Sequence, residues 1–190
     1  MAVAQHRNAA PAAREVRVAV ITVSDTRTLQ TDESGSLAQA LTIQAGYHVT
    51  VRELLPDEPT QIAARVRALA AGRQVDVVLL TGGTGVSARD GTVEAIAPLL
   101  DRRLEGFGEL FRMLSFAEVG AAAMLSRALG GTIGQMAVFA MPGSPAAVQL
   151  ALPRLILPEL AHLLGQLKPR GSVPIERAGE PHHGDRHPPG

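Results

Sequence analysis

The stretch VDVVLLTGGTGVSARDGT, Val75–Thr92, passes from an apolar run (Val75, Val77, Val78, Leu79, Leu80) into Thr81 and three glycines within four residues, Gly82, Gly83 and Gly85. A short β-branched run ended by glycine reads as a strand buried on both faces. The loop therefore leaves the carboxyl end of a central strand. Glycines there let the backbone approach a ligand and turn its N–H groups toward an anion, and Thr and Ser hydroxyls add donors. A plain strand-to-helix turn accounts for the same residues. The dinucleotide fingerprint G-x-G-x-x-G is absent, and so is the Walker loop, whose lysine follows its last glycine: the only lysine is Lys168. A phosphate held here is neutralised by backbone amides, by arginine, or by a metal for which Asp90 is a candidate ligand.

Working outward, Val16–Val23 is a β-branched strand ending in Ser24, Asp25 and Thr26. Asp32 and Ser34 are candidate caps for a helix with Leu37, Ala38, Leu41 and Ala45 on one face, stopped by Gly46. His48–Leu54 alternates as a second strand, and residues 56–59 turn into a helix whose buried stripe is Ile62, Val66 and Leu69. After the glycine loop, Thr92–Leu100 is a short helix, Leu104–Leu114 carries an amphipathic stripe, and Ala121–Leu129 is expected to be helical. Ala137–Met141 is a further strand, followed by Pro142, Gly143 and Ser144 and by two short helices split at Pro153 or Pro158.

Strands alternating with helices imply an α/β fold, a three-layer α/β/α sandwich with a mostly parallel central sheet. Ligands in such sheets bind at the carboxyl ends of the strands, where the strand order switches. Four loops, at residues 24–26, 56–58, 81–90 and 142–144, collect the unusual residues there.

The 190 residues, 46% of them apolar, suit one domain over residues 15–168, between a disordered arm at 1–14 and a disordered tail at 169–190. Eighteen basic residues balance 18 acidic ones, which gives no electrostatic footprint for nucleic acid or a membrane surface. Absence of cysteine excludes disulfides and thiolate metal sites. No secretory signal is seen, and Leu150–Leu164 is interrupted by Pro153, Arg154, Pro158 and Glu159, so a soluble cytoplasmic protein is expected. His182, His183 and His187 lack preorganised geometry for a metal in such a tail.

With the loops assembled, the sequence resembles the molybdenum cofactor biosynthesis protein B and Mog family of molybdopterin-binding proteins. The matching segments run Thr22-Val-Ser-Asp-Thr-Arg27, Asp32-Glu-Ser-Gly35, Leu55-Pro-Asp-Glu58, Thr81-Gly-Gly-Thr-Gly85, Arg89-Asp90, Glu105-Gly-Phe-Gly-Glu109, Ser126-Arg127 and Pro142-Gly-Ser-Pro145. The wording ELFRMLSFAEVG and SRALGG resembles protein B more than Mog. The resemblance implies a homo-oligomer, trimer or hexamer, that binds molybdopterin and, in active members, transfers AMP from MgATP to its terminal phosphate. It implies Asp57 and Asp90 as catalytic, Mg²⁺-binding carboxylates and Gly82, Gly83, Thr84 and Gly85 as the phosphate or pterin cradle. Ser24, Gly143 and Ser144 would line the pterin side.

Other roles stay open for these residues. Asp57 suits the positive end of the helix near Thr60, and Asp90 suits a cap for the helix after Thr92. Arg89 is a phosphate clamp or a surface arginine. Thr92 is followed by Val93 where the family often has proline. A protein that holds molybdopterin or its precursor without turnover is the alternative to the enzyme.

Overall fold

Strand β1 (Arg17–Val23) is buried from Val18 onward, and its side chains alternate between two separate cores. The computed structural model describes residues 11–167. Residues 1–10 of the arm expected at 1–14, and the whole tail expected at 169–190 with its histidines, lie outside the described residues, whereas Ala13–Glu15, where the arm was expected to end, forms a 3₁₀ turn.

Five further strands complete the sheet: β2 (His48–Leu55), β3 (Val77–Thr81), β4 (Arg102–Arg103), β5 (Leu129–Ile133) and β6 (Met136–Met141). Their spatial order is β2-β1-β3-β6-β5-β4, with β2, β1, β3 and β6 parallel and the last two antiparallel. The helices are α1 (Glu33–Gln44), α2 (Pro59–Gly72), α3 (Thr92–Ile96), α4 (Glu105–Val119), α5 (Pro145–Ala151) and α6 (Leu157–Leu167). Val18, Val20, Val77, Leu79, Phe139 and Met141 face α1, α4, α5 and α6, while Ala19, Ile21, Val78, Leu80 and Val138 face α2 and α3. Period-two alternation on strands buried on both faces thus produces three layers.

The register fixes where the loops emerge. Val23 pairs with Leu55, Thr22 with Thr81, and Thr81 with Met141. Ser24, Pro56, Gly82 and Pro142 therefore leave the sheet side by side. The chain moves from β1 to β2 on one side and to β3 on the other, so the switch in strand order lies between β1 and β3.

Three expectations change. Residues 121–129 are not a helix: Gly120–Leu125 is a 3₁₀ segment, and Leu129 begins β5. The glycines that hide this strand are needed by it, since a Cβ on Gly131 would meet the Arg102 carbonyl oxygen at 2.5 Å. The two-residue strand β4 was also not expected. The last two helices are not split; α5 runs into α6 through a π turn at Leu152–Ile156, which absorbs Pro153 and its missing N–H without ending the helix. This run, Pro145–Leu167, is long and apolar enough to cross a membrane, but half of its most apolar window is buried inside the domain.

Candidate functional site

Gly82 and Gly83 have φ of 107° and 64°, in the region open to glycine. These angles bend the chain sharply away from β3. Gly82 N–H is committed to the Met141 carbonyl at 3.0 Å, which ties the loop to the end of β6. Among the described residues the N–H groups of Gly83, Thr84 and Gly85 make no hydrogen bond. Three adjacent donors left free at a strand end are what an anion requires. The buried hydroxyls of Thr84 and Ser126 also lack partners. Both line a cavity of about 290 Å³ whose wall includes Phe111, Ser115, Pro142 and Ser144.

Asp57 and Asp90 approach the loop from different segments. A Cβ on Gly83 would lie 2.7 Å from Asp57 Oδ2, and one on Gly85 would lie 2.8 Å from Asp90 Oδ2. Asp57 Oδ1 accepts the Gly91 N–H at 3.0 Å, and Asp57 N–H donates to Asp25 Oδ1 at 3.1 Å. Asp90 Oδ2 accepts the Ser87 N–H at 2.8 Å. Neither carboxylate caps a helix: α2 begins after Glu58 and α3 after Gly91, with no side-chain cap at either. Burial, then the charges of Asp90 and Asp25, push the Asp57 carboxyl above its ordinary range, against the Gly91 bond and Arg89. Crowded carboxylates of this kind favour a divalent cation, although among the described residues no three His, Asp or Glu side chains form a metal cluster. Two carboxylates with phosphate oxygens and water match the habits of Mg²⁺ better than an all-protein cage.

Ser24 Oγ accepts from Thr26 and Arg27 N–H, at 3.3 and 3.2 Å, and so shapes the β1 loop. Ser144 caps α5 by accepting the Ala147 N–H at 3.1 Å, and its own surface faces the cavity. Gly143 packs on Gly82, where a Cβ would come within 3.1 Å of the Gly82 Cα. All nine residues named from the sequence therefore belong to the loops at one end of the sheet. Arg89 is ion-paired with Asp25.

The largest omission is Arg127. Its Nε donates to the Gly85 carbonyl at 2.6 Å and its Nη2 to the Asp90 carbonyl at 3.0 Å, while the guanidinium pairs with Glu94. One side chain thereby holds both ends of the loop. Thr92 assists, with Oγ1 donating to the Gly82 carbonyl at 2.9 Å. The Ser126-Arg127 pair stood out only as a matching segment; nothing in spacing shows that it returns to a loop about 40 residues earlier.

The mixed six-stranded α/β fold whose switch point carries this glycine loop is shared with known proteins. Residues 19–162 match the family described as probable molybdopterin binding domain, and the chain belongs to that family. Within it, the chain is 51% identical over 168 residues to molybdenum cofactor biosynthesis protein B of Bacillus cereus, covering 88% of this chain and 98% of that one. A crystal structure of a molybdenum cofactor biosynthesis protein B is 52% identical with a TM-score of 0.79, over 83% of this chain and 98% of the other. The molybdopterin biosynthesis enzyme MoaB of Thermus thermophilus is 34% identical, with a TM-score of 0.71, over 80% and 96%. The chain is therefore a member of the protein B group of molybdopterin-binding domains.

Proposed function

We propose that this chain acts in molybdenum cofactor biosynthesis by binding molybdopterin and transferring AMP from MgATP to its terminal phosphate. The observation that carries this is the set of three free loop N–H groups with Asp57 and Asp90 pressed against the same loop. The name of the Thermus relative, a molybdopterin biosynthesis enzyme, supports it. Asp57 and Asp90 would hold Mg²⁺, which would neutralise charge on the transferring phosphates.

The residues of the chain have little proton chemistry to perform. A phosphate monoester is already ionised at neutral pH; its oxygen forms a bond to the α-phosphorus of ATP while the bond to pyrophosphate breaks. Catalysis is then positioning and electrostatics. The Gly83, Thr84 and Gly85 amides supply donors to phosphate oxygens, Arg127 and Thr92 hold the loop in place, and the Thr84 and Ser126 hydroxyls offer partners to the polar edge of a pterin.

The same proposal makes the protein a cytoplasmic homo-oligomer, a trimer or hexamer. In its support, Leu110, Met113, Phe116, Val119, Met124 and Leu125 form an exposed apolar strip along α4 and the 3₁₀ segment, and Val119 and Leu125 also line the cavity. A second copy covering the strip would wall off the cavity.

Incubation with molybdopterin, Mg²⁺ and α-labelled ATP tests the function. Label is expected in the pterin, and Asp90→Asn is expected to abolish transfer while leaving pterin affinity within about threefold, since the charge serves the metal and not the ring. Tight pterin binding with no incorporation by the unmodified protein at any Mg²⁺ concentration would instead assign a holding or delivery role.

A further inference from the structure

The arginines around the cradle differ in how completely they are neutralised. Arg89 has Asp25, and Arg127 has Glu94. Arg27 and Arg52 share one carboxylate, Asp32, whose side chain is fully buried. Asp32 accepts from Thr22 Oγ1 at 2.6 Å, Gly35 N–H at 3.0 Å and Ser34 Oγ at 3.1 Å, and it contacts Arg52 directly. Arg27 Nη1 stands 3.6 Å from Asp32 and donates instead to Ser34 Oγ at 2.6 Å. Two cations against one anion leave a net positive charge in this cluster.

Arg27 is the member that reaches the cradle. Its Nη1 lies 3.9 Å from where a Cβ on Gly143 would be, a point itself 3.1 Å from the Gly82 Cα. Its side chain is 34% exposed, and among the described residues its Nε and Nη2 make no hydrogen bond. The carboxylates occupy the other flank, Asp57 beside Gly83 and Asp90 beside Gly85. The cradle is thus polarised, positive at Gly82 and Gly143 and negative from Gly83 to Gly85.

We propose that Arg27, braced by Ser34 and Asp32, is the clamp for the phosphate monoester of the substrate and makes the site select phosphorylated over dephosphorylated pterin. This rests on the function proposed above. The planar guanidinium spends one of its five N–H groups on Ser34 and keeps the Nε and Nη2 edge for a bidentate contact, which an ammonium does not reproduce. It supplies the cation that a Walker loop takes from its lysine. Among the described residues it forms no ion pair with Asp57 or Asp90, which leaves the metal flank unblocked.

The test is fluorescence titration of the full-length protein with molybdopterin and with phosphatase-treated molybdopterin, without ATP or Mg²⁺, at two salt concentrations. The unmodified protein is expected to prefer the phosphorylated form. Arg27→Gln is expected to weaken that form by about tenfold to a hundredfold, with a smaller salt effect, and to leave the dephosphorylated form unchanged. Arg27→Lys is expected to keep part of the preference, and it carries the test if the glutamine variant does not fold. Equal losses on both ligands, or none on either, would overturn the assignment. Equal binding of both forms by the unmodified protein would overturn it too while leaving the function standing; binding of neither would remove both.

Discussion

Replacing Arg127 by alanine removes the side chain that ties Gly85 to Asp90. Two charge-assisted hydrogen bonds are lost, at 2.6 and 3.0 Å, together with the Glu94 pair. Bonds to charged groups contribute about 1.5–3 kcal/mol when well shielded. Arg127 is 31% exposed and Glu94 55%, so solvent reduces each bond and leaves the ion pair little. About 1 kcal/mol for each loop carbonyl gives a total near 2 kcal/mol, a fall in Tm of about 4–8 °C for a chain of this size. Arg127→Lys should recover about half of that, because an ammonium lacks the planar fork that serves both carbonyls at once. Glu94→Gln should cost less than about 0.5 kcal/mol. Urea titration and thermal melting of the three variants measure the ledger, and pterin titration reads the loop, which should bind more weakly once it is no longer held. Equal destabilisation by Arg127→Ala and Glu94→Gln would show that the ion pair, not the tether to the loop, is what Arg127 provides. An Arg127→Ala protein unchanged in both stability and affinity would refute the tether altogether.

Asp57→Asn should raise the Tm of metal-free protein at neutral pH while abolishing AMP transfer. The folded-state pKa of Asp57 is raised, so its favourable contribution is present below the ordinary carboxylate range and is lost as pH rises through the raised value; the advantage of asparagine should therefore vanish in acid, and Mg²⁺ should stabilise the unmodified protein but not the variant. Asp32 has the opposite sign. Burial alone would raise it, but bonds from Thr22, Gly35 and Arg52 hold it below the usual range, so its contribution is present above the ordinary carboxylate pKa and is lost as pH falls through the depressed one. Asp32→Asn should cost about 3 kcal/mol in urea unfolding at pH 7, since it leaves Arg52 unpaired in a largely buried setting. Phe116→Asp combined with Met124→Asp, at side chains 63% and 75% exposed, should leave the fold intact by circular dichroism and shift sedimentation toward the monomer; an unchanged assembly would place the subunit contact elsewhere.

Local pattern was enough for the parallel half of the sheet. Strands β1, β3 and β6 are buried on both faces, so their sequences carry the uninterrupted β-branched and apolar signal that such burial demands, and the loops they end in carry the glycines that the turns require. Those loops supplied every site residue named from the sequence. Other features depended on partners distant in the chain. Strand β5 carries Gly130 and Gly131, poor strand formers in isolation, because Phe107, Phe139 and the Arg102 carbonyl crowd against them. The prolines at 153 and 158 predict a break that a π turn avoids, since the apolar face continues into the core on both sides of it. Arg127 and Arg27 have no local signature, as an exposed surface arginine and one that braces a loop are written with the same letter. The sequence by itself thus determined the ends of the buried parallel strands, the glycine cradle and the family. Only the tertiary structure decided which amides stay free, which arginines are already neutralised and how charge is distributed across the cradle, because these depend on register and on contacts between residues far apart in the chain.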